Sequence, residues 1–163
     1  MDALPKRKPN RLREYDYASD GLYFITICTK EMKRILSDIT VGATCGRPPV
    51  VQLTAVGAVV EREILRLDRI YEDLHVERYV IMPNHVHLLL MIDASGGRPK
   101  VAPTVSRAMQ QFKGSVTKQL GESIWQKGFH DHVIRSESDC FYHLQYIDEN
   151  PKKWLMGKDE YYS

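Results

Sequence analysis

Apolar residues recur along the chain in two patterns, short runs typical of β-strands and longer stretches with helical periodicity. Four runs rich in β-branched and aromatic residues predict strands. They are GLYFITICTK (21–30), HVERYVIM (75–82), HVHLLLMI (85–92) and WQKGFHDHVIRS (125–136). Only Pro83 and Asn84 separate the second run from the third, and such a pair suits a tight turn, so these two runs predict a β-hairpin.

Three segments with apolar residues three or four positions apart predict helices. They are residues 53–74, 105–120 and 137–150. Thr54 is a candidate N-cap for the first helix, and Pro151 is expected to end or disrupt the third. The segments 41–50 and 95–104 are rich in Gly and Pro and predict loops before the first two helices.

The predicted order of elements is β-α-β-β-α-β followed by one further helix. This is the ferredoxin-like order, in which we expect an antiparallel sheet with its helices on one face. The sequence therefore predicts an α+β fold, a ferredoxin-like βαββαβ antiparallel sheet with an added C-terminal helix. At 163 residues the chain fits a single domain spanning 1–163, with a basic arm at about 1–14 and a short tail at about 155–163.

Composition favours a compact, soluble protein. Hydrophobic residues make up 43% of the chain and charged residues 27%, and no stretch approaches the roughly 20 apolar residues of a membrane span. The three cysteines are odd in number and have no CxxC spacing, which argues against a disulfide framework. The first residues lack an apolar signal-peptide core. We therefore expect a cytoplasmic location and no membrane partner.

Net charge alone does not indicate a nucleic-acid partner, because the formal charge is only +2. Basic residues are nevertheless concentrated in PKRKPNRLR (5–13). This arm predicts either a solvated tail or a local binding surface.

The histidines at 85 and 87 are the first candidate functional residues. Side chains alternate along a strand, so His85 and His87 project from one face while Val86 projects from the other. The two imidazoles can therefore share one metal ion. The alternative is a pair of polar residues in a buried strand, each with its own hydrogen-bond partner.

The last predicted helix offers a second group of candidates. Tyr146 and Asn150 lie four residues apart, which places a phenol and an amide on one helix face, and Tyr142 lies one turn earlier. The alternative is a helix that packs its aromatic residues, with Asn150 at the helix end before Pro151.

Three motifs occur in a recognisable order: MPNHVHLLL on a strand, WQKGFHD downstream, and YIDENP on the last helix. In this combination the chain resembles the REP-associated tyrosine transposases, which are relatives of the single-tyrosine HUH transposases. The resemblance extends from about Tyr15 to about Trp154. It implies that His85 and His87 are metal ligands, with Asn150 as the third ligand where related insertion-sequence enzymes often have Gln. It also implies that Tyr146 is the nucleophile, and Tyr142 stays a lesser alternative.

The resemblance implies cleavage and strand transfer of single-stranded DNA through a 5′-phosphotyrosine, at or near hairpins of repetitive extragenic palindromes. The expected cofactor is Mg²⁺ or Mn²⁺, and the expected assembly is a monomer or a homodimer. Local basic residues are expected to contact the DNA backbone. They are Lys6, Arg7, Lys8, Arg11, Arg13, Arg47, Arg98, Lys100, Arg107, Lys113 and Lys118.

Two other functions are alternatives to this one, and a second histidine pair has several possible roles. A histidine-triad nucleotide hydrolase or transferase is disfavoured because its third alternating histidine is replaced by Leu89. A noncatalytic nucleic-acid-binding module is the other alternative. His130 and His132 form a second pair, which can hold zinc, join the first pair, or belong to a polar or DNA-facing strand.

Overall fold

The computed structural model describes residues 21–42, 46–93 and 105–161, which form six strands and three α-helices besides a short 3-10 turn at 30–32. In chain order the elements are β1 (Gly21–Cys28), β2 (Ser37–Thr40), β3 (Val50–Leu53), α1 (Ala55–Ile70), β4 (Leu74–Ile81), β5 (His85–Ile92), α2 (Val105–Leu120), β6 (His130–Ile134) and α3 (Glu137–Leu155). The basic arm at about 1–14 lies outside the described residues, so the predicted domain boundaries stay a prediction.

Four strands form one antiparallel sheet in the order β4-β5-β1-β6. This is the ferredoxin-like strand order, and the predicted fold class is confirmed. Thr26 of β1 lies opposite His87 of β5 on one side and His130 of β6 on the other, and Cys28 lies opposite His85. Residues directly opposite each other in an antiparallel pair project from the same face. Both histidine pairs therefore belong to one face of the sheet.

The two faces of the sheet are covered by different helices. One face is apolar and packs against α1 and α2, with a core centred on Tyr23, Ile25, Ile27, Val86, Leu88 and Leu90. The face that carries the histidines is covered by α3, since the rings of His143 and Tyr146 lie 4.5 Å and 5.8 Å from the ring of Phe24. The expectation of helices on one face is correct for α1 and α2 and wrong for α3. The second face is partly apolar through Phe24 and Leu89, so it too is stabilised by a helical cover.

The segment around 41–50, predicted as a loop, lies between the two strands of a short hairpin. Strand β2 pairs with β3, from Ser37 opposite Leu53 to Thr40 opposite Val50, in a separate two-stranded sheet. Neither SDIT nor VVQL alternates strictly between apolar and polar residues, which explains why the pattern does not predict these strands.

Helix α3 does not stop at Pro151 but continues to Leu155. Proline removes one backbone hydrogen bond from a helix interior, which is usually costly. Here Pro151 and Trp154 are both buried, and the Trp154 ring lies 6.2 Å from that of His85. Burial of this last turn offsets the lost hydrogen bond, so the expectation that Pro151 ends or disrupts the helix is wrong.

Two further expectations concern cysteines and membranes. Among the described residues Cys28 and Cys140 are free thiols, and Cys45 lies outside them. No helix within the described ranges has both the length and the apolar character required to cross a membrane.

The start of α1 packs closely against the chain that precedes β2. The Thr54 side chain accepts a hydrogen bond from the Gly57 amide at 3.0 Å, which confirms Thr54 as the N-cap. A Cβ atom at Gly57 would lie 1.9 Å from the carbonyl oxygen of Leu36. Gly57 therefore permits a contact between backbones that no other residue allows.

We expect Gly57→Ala to lower the free energy of unfolding by roughly 1–3 kcal/mol, because the backbone at Leu36 must move to admit the methyl group. Gly114→Ala is the matched control, since nothing lies within 4 Å of a Cβ there and Gly114 is inside α2. The control should gain about 0.5–1 kcal/mol from helix propensity. Urea denaturation measures both changes, and equal stabilisation of the two variants would contradict the close contact.

Candidate active site

His85 and His87 lie at the start of β5, on the face that α3 covers. Both side chains are fully buried, and their ring centroids are 4.6 Å apart. Their Nε2 atoms make no hydrogen bond within the described part of the chain. A buried polar atom without a partner is costly, so two such atoms side by side indicate a ligand that accepts their lone pairs.

Asn84 fixes the protonation of His85. Its side-chain Nδ2 donates to the Tyr161 carbonyl oxygen at 2.9 Å, which turns its Oδ1 toward His85 Nδ1 at 2.7 Å. A carbonyl oxygen only accepts, so Nδ1 of His85 carries the ring proton. The lone pair of the neutral ring is therefore on Nε2. The sequence places Asn84 only in a turn, and nothing in the spacing of residues indicates that it also orients His85.

His87 is oriented in the same way by the neighbouring strand. Its Nδ1 lies 2.8 Å from the Thr26 hydroxyl oxygen. Burial lowers the pKa of His85 to about 3, and the Asn150 amide opposes this shift. Burial, followed by the charges of His85 and His143, lowers the pKa of His87 well below its usual range. Both rings are therefore neutral at pH 7, as metal ligation requires.

Asn150 completes the group from α3. Its side chain is fully buried, and neither its Oδ1 nor its Nδ2 has a hydrogen-bond partner among the described residues. The amide lies beside His85, whose pKa it affects. Two imidazole nitrogens and one amide oxygen form a mixed donor set that fits a divalent ion. The orphaned atoms of these three residues therefore fit the metal implied by the family resemblance.

Tyr146 lies against the same group, on the same chain. Its ring centroid is 5.2 Å from that of His87 and 5.8 Å from that of Phe24. Tyr142 is 60% exposed, and its ring lies 6.3 Å from that of Tyr146. The fold thus brings Tyr146 next to His87, with Tyr142 one turn farther toward the solvent.

The C-terminal tail covers this site. The Tyr146 hydroxyl donates a hydrogen bond to Glu160 Oε1 at 2.6 Å, and the Tyr161 ring lies 4.6 Å from the His85 ring. Asp159 is buried beside Asn150, and one of its carboxylate oxygens, Oδ2, has no hydrogen-bond partner in the described chain. The sequence pattern assigns these residues to a peripheral tail, because a short acidic and aromatic run after a helix has no recognisable spacing.

The tail also sets the ionisation of Tyr146. Burial, the hydrogen bond to Glu160 and the charges of Glu160 and Asp159 raise the pKa of the Tyr146 phenol well above its usual range. All of these effects disfavour the negative phenolate. With the tail docked, Tyr146 is therefore a neutral hydrogen-bond donor at pH 7.

The four predicted DNA-binding residues that the structure describes do not converge on this site. Arg107 and Lys118 lie on α2, across the sheet from His85, and Arg47 is exposed in the loop before β3. Lys113 is bound to the carbonyl oxygens of Gln126 and Gly128, at 2.6 Å and 2.8 Å. Lys6, Arg7, Lys8, Arg11, Arg13, Arg98 and Lys100 lie outside the described residues.

Two cations outside this predicted set lie closer to the site. Lys153 Nζ lies 4.7 Å from the centre of the Tyr146 ring, and Arg34 Cζ lies 5.0 Å from the centre of the Trp154 ring. Lys153 has a signal in the sequence, because it lies seven residues after Tyr146 and therefore on the same helix face. Arg34 has none, because it reaches the site only through the fold.

The second histidine pair does not join the first. His130 is exposed, whereas His132 contacts Asp139 on α3, with its Nε2 2.9 Å from Asp139 Oδ2. The His132 ring stacks on His143, at 4.7 Å between centroids. Only His132 of this pair is therefore engaged with α3.

Comparison with known proteins identifies relatives at low sequence identity. No family model matches the chain. An uncharacterized protein of Haemophilus influenzae is 26% identical over 168 residues, which cover 91% of this chain and 89% of that protein. A REP-associated tyrosine transposase of Escherichia coli is 29% identical over 90 residues, which cover 55% of this chain and 49% of that protein. This second match thus spans about half of the transposase.

A solved structure has the same fold. It is a REP-associated tyrosine transposase bound to a REP hairpin, with a TM-score of 0.63 and 23% identity, and the match covers 88% of this chain and 73% of that one. At this identity the likeness shows the fold, and it agrees with the ferredoxin-like strand order described above.

We expect Glu160→Gln to lower the pKa of Tyr146, because it removes a negative charge beside the phenol. The value should stay above the usual value of about 10, since burial is the larger cause of the shift. NMR titration of protein labelled at the tyrosine Cζ measures it, with Tyr146→Phe identifying the resonance. Glu137→Gln, at the exposed start of α3, is the control. An unchanged Tyr146 pKa in Glu160→Gln would contradict this role of the tail.

Proposed function

We propose that this chain, a relative of the REP-associated tyrosine transposases, cleaves and rejoins single-stranded DNA through a covalent 5′-phosphotyrosine on Tyr146. One observation carries the proposal. Buried, orphaned atoms of His85 and His87 on the sheet and of Asn150 on α3 lie close to the ring of Tyr146. A packed core gains nothing from such atoms, whereas a cation held next to a nucleophile promotes phosphoryl transfer.

The reaction that fits Tyr146 is a transesterification. The phenol oxygen forms a bond to the scissile phosphorus, and the bond from phosphorus to the 3′ oxygen breaks, which leaves a free 3′ hydroxyl. One phosphate ester replaces another, so a 3′ hydroxyl can reverse the step and join strands without ATP. The phenol must lose its proton as it attacks. Glu160 already accepts the hydrogen bond from that hydroxyl and is the residue placed to take the proton.

The ligand set proposed for the metal is His85, His87 and Asn150, with Mg²⁺ or Mn²⁺ as the ion. When bound, such an ion would supply positive charge that offsets the negative charge developing on the phosphate. Asn84 orients His85 with its Nε2 lone pair free, and the Thr26 hydroxyl holds the Nδ1 edge of the His87 ring. Trp154, packed near His85, excludes water from this side of the site.

The proposed partner is single-stranded or hairpin DNA. A solved relative is bound to a REP hairpin, and this chain shares its fold. Lys153 and Arg34 lie at the edge of the site, where they can bind the DNA backbone together with the predicted basic residues of the arm and loops. All four proposed site residues come from one chain, so a monomer suffices for the chemistry, although a homodimer is compatible with the same site.

We expect Tyr146→Phe to abolish the covalent protein–DNA adduct, because it removes the attacking oxygen. The phenyl ring keeps most of the packing against His87 and Phe24, so hairpin binding and folding should be retained. Incubation with an end-labelled hairpin and Mn²⁺, followed by electrophoresis and peptide mapping, detects the adduct. Tyr142→Phe is the matched control and should retain it.

The opposite result in these two variants would assign the nucleophile to Tyr142. An adduct that forms in neither the wild-type protein nor the Tyr142→Phe variant, with hairpin binding kept, would favour a noncatalytic DNA-binding module instead.

We expect His85→Ala to reduce cleavage to background, because it removes a ligand. Asn84→Ala should reduce metal affinity or activity by about 10- to 100-fold, since it removes the group that orients His85. Titration with Mn²⁺ separates the two, because excess Mn²⁺ should restore cleavage in Asn84→Ala and not in His85→Ala. His75→Ala, on β4, is the control. Full activity in His85→Ala, or in wild-type protein with all divalent ions chelated, would overturn the proposed metal site.

A further inference from the structure

A second group of potential metal ligands lies on the same side of the sheet, at β6. It consists of His132 from β6 and of Asp139 and His143 from α3. One ligand atom from each residue lies within 4.8 Å of the others. Asp139 and His143 are four residues apart, so they lie on the same face of α3, one turn from each other. The group therefore joins the edge strand of the sheet to the first turns of α3.

The two distances from Asp139 to the histidines match those between ligands of one ion. Asp139 Oδ1 lies 3.1 Å from His132 Nε2 and 3.1 Å from His143 Nδ1. An ion bonded to nitrogen and oxygen at about 2.0–2.2 Å holds neighbouring ligand atoms roughly 3 Å apart. The second oxygen, Asp139 Oδ2, accepts the Arg135 amide at 3.2 Å, so Oδ1 is the atom that points between the rings.

Hydrogen bonds are the rival explanation. His132 Nε2 also lies 2.9 Å from Asp139 Oδ2, and His143 Nδ1 lies 2.9 Å from the Asp139 carbonyl oxygen. A ring proton on each of these nitrogens accounts for every contact without an ion. The two explanations can be distinguished by experiment. A metal site binds a cation, and this binding requires both histidines, whereas a group held by hydrogen bonds binds none.

We propose that His132, Asp139 and His143 form a second divalent metal site, of the Zn²⁺ class. Two imidazoles and one carboxylate suit zinc or cobalt better than Mg²⁺, which prefers oxygen ligands. The side chain of His132 is half exposed, which leaves room for water or a further ligand. The site is distinct from that of His85, His87 and Asn150. The ring of Phe24 lies between them, 4.5 Å from His143 and 5.1 Å from His87.

Such an ion would hold the start of α3 in place against the sheet. His143 lies three residues before Tyr146 on the same helix, and His132 belongs to the sheet. A metal bridge between them fixes the start of α3 to β6, at the opposite end of the helix from the packing of Trp154. The ion has a structural role here and takes no part in the reaction at Tyr146.

Binding of Co²⁺ tests the site without reference to DNA cleavage. The stoichiometry and the visible absorption spectrum of bound Co²⁺ are measured for the wild-type protein, His132→Ala, His143→Gln and His130→Ala. His130 is the matched control because it lies two residues from His132 on the same strand and outside the ligand group. His132 and His130 are both exposed, so these two variants should fold, and circular dichroism verifies each protein.

We expect His132→Ala and His143→Gln each to lose one equivalent of bound Co²⁺, and Zn²⁺ to displace that equivalent from the wild-type protein. His130→Ala should bind as the wild-type protein does, and His85→Ala should retain this equivalent. If His132→Ala binds as many ions as the wild-type protein, hydrogen bonds explain the group and the proposal is overturned. If the proposed site at His85 binds no ion and the second site does, the wild-type protein binds one equivalent of Co²⁺. That equivalent would still be lost in His132→Ala.

Discussion

Burial of uncharged imidazoles is the constraint on which the rest of the site depends. His85 and His87 are removed from water, which holds their pKa values far below neutrality and leaves each with one ring proton. Their Nδ1 atoms have partners on Asn84 and Thr26, and their Nε2 atoms have none among the described residues. Each unpaired atom reduces the stability of the fold. The surrounding packing must therefore offset that cost, and a bound cation would remove it.

Helix α3 provides much of that packing. It closes the face of the sheet that α1 and α2 leave uncovered, and it delivers Asn150, Pro151 and Trp154 to the buried interior in a single turn. A proline at this point interrupts the backbone hydrogen bonds of the helix, yet the helix continues because the turn beyond it is anchored by apolar contact. Tertiary packing thus prevails over local propensity at the residue next to a candidate ligand.

The sequence predicts the parts of the site whose spacing follows the geometry of one element. Alternation along a strand pairs His85 with His87, and helical spacing pairs Tyr146 with Asn150. Asn84, Glu160 and Arg34 could not be found in this way, because each reaches the site through contacts between distant segments. The continuation of α3 past Pro151 was also beyond the pattern, since it depends on where Trp154 is buried. The two hairpin strands likewise leave no periodic signal, because neither alternates strictly between apolar and polar residues.

The order of the elements has a consequence for how the site comes into existence. Its side chains come from β1 at Thr26, from the turn and strand at Asn84 to His87, and from α3 at Tyr146 and Asn150. Contacts between segments so far apart in sequence form late, because loop-closure entropy must be offset before they stabilise the fold. A nascent chain whose α3 is still inside the ribosome can form most of the sheet, but it lacks the proposed nucleophile. Any such chemistry therefore requires that α3 has left the ribosome.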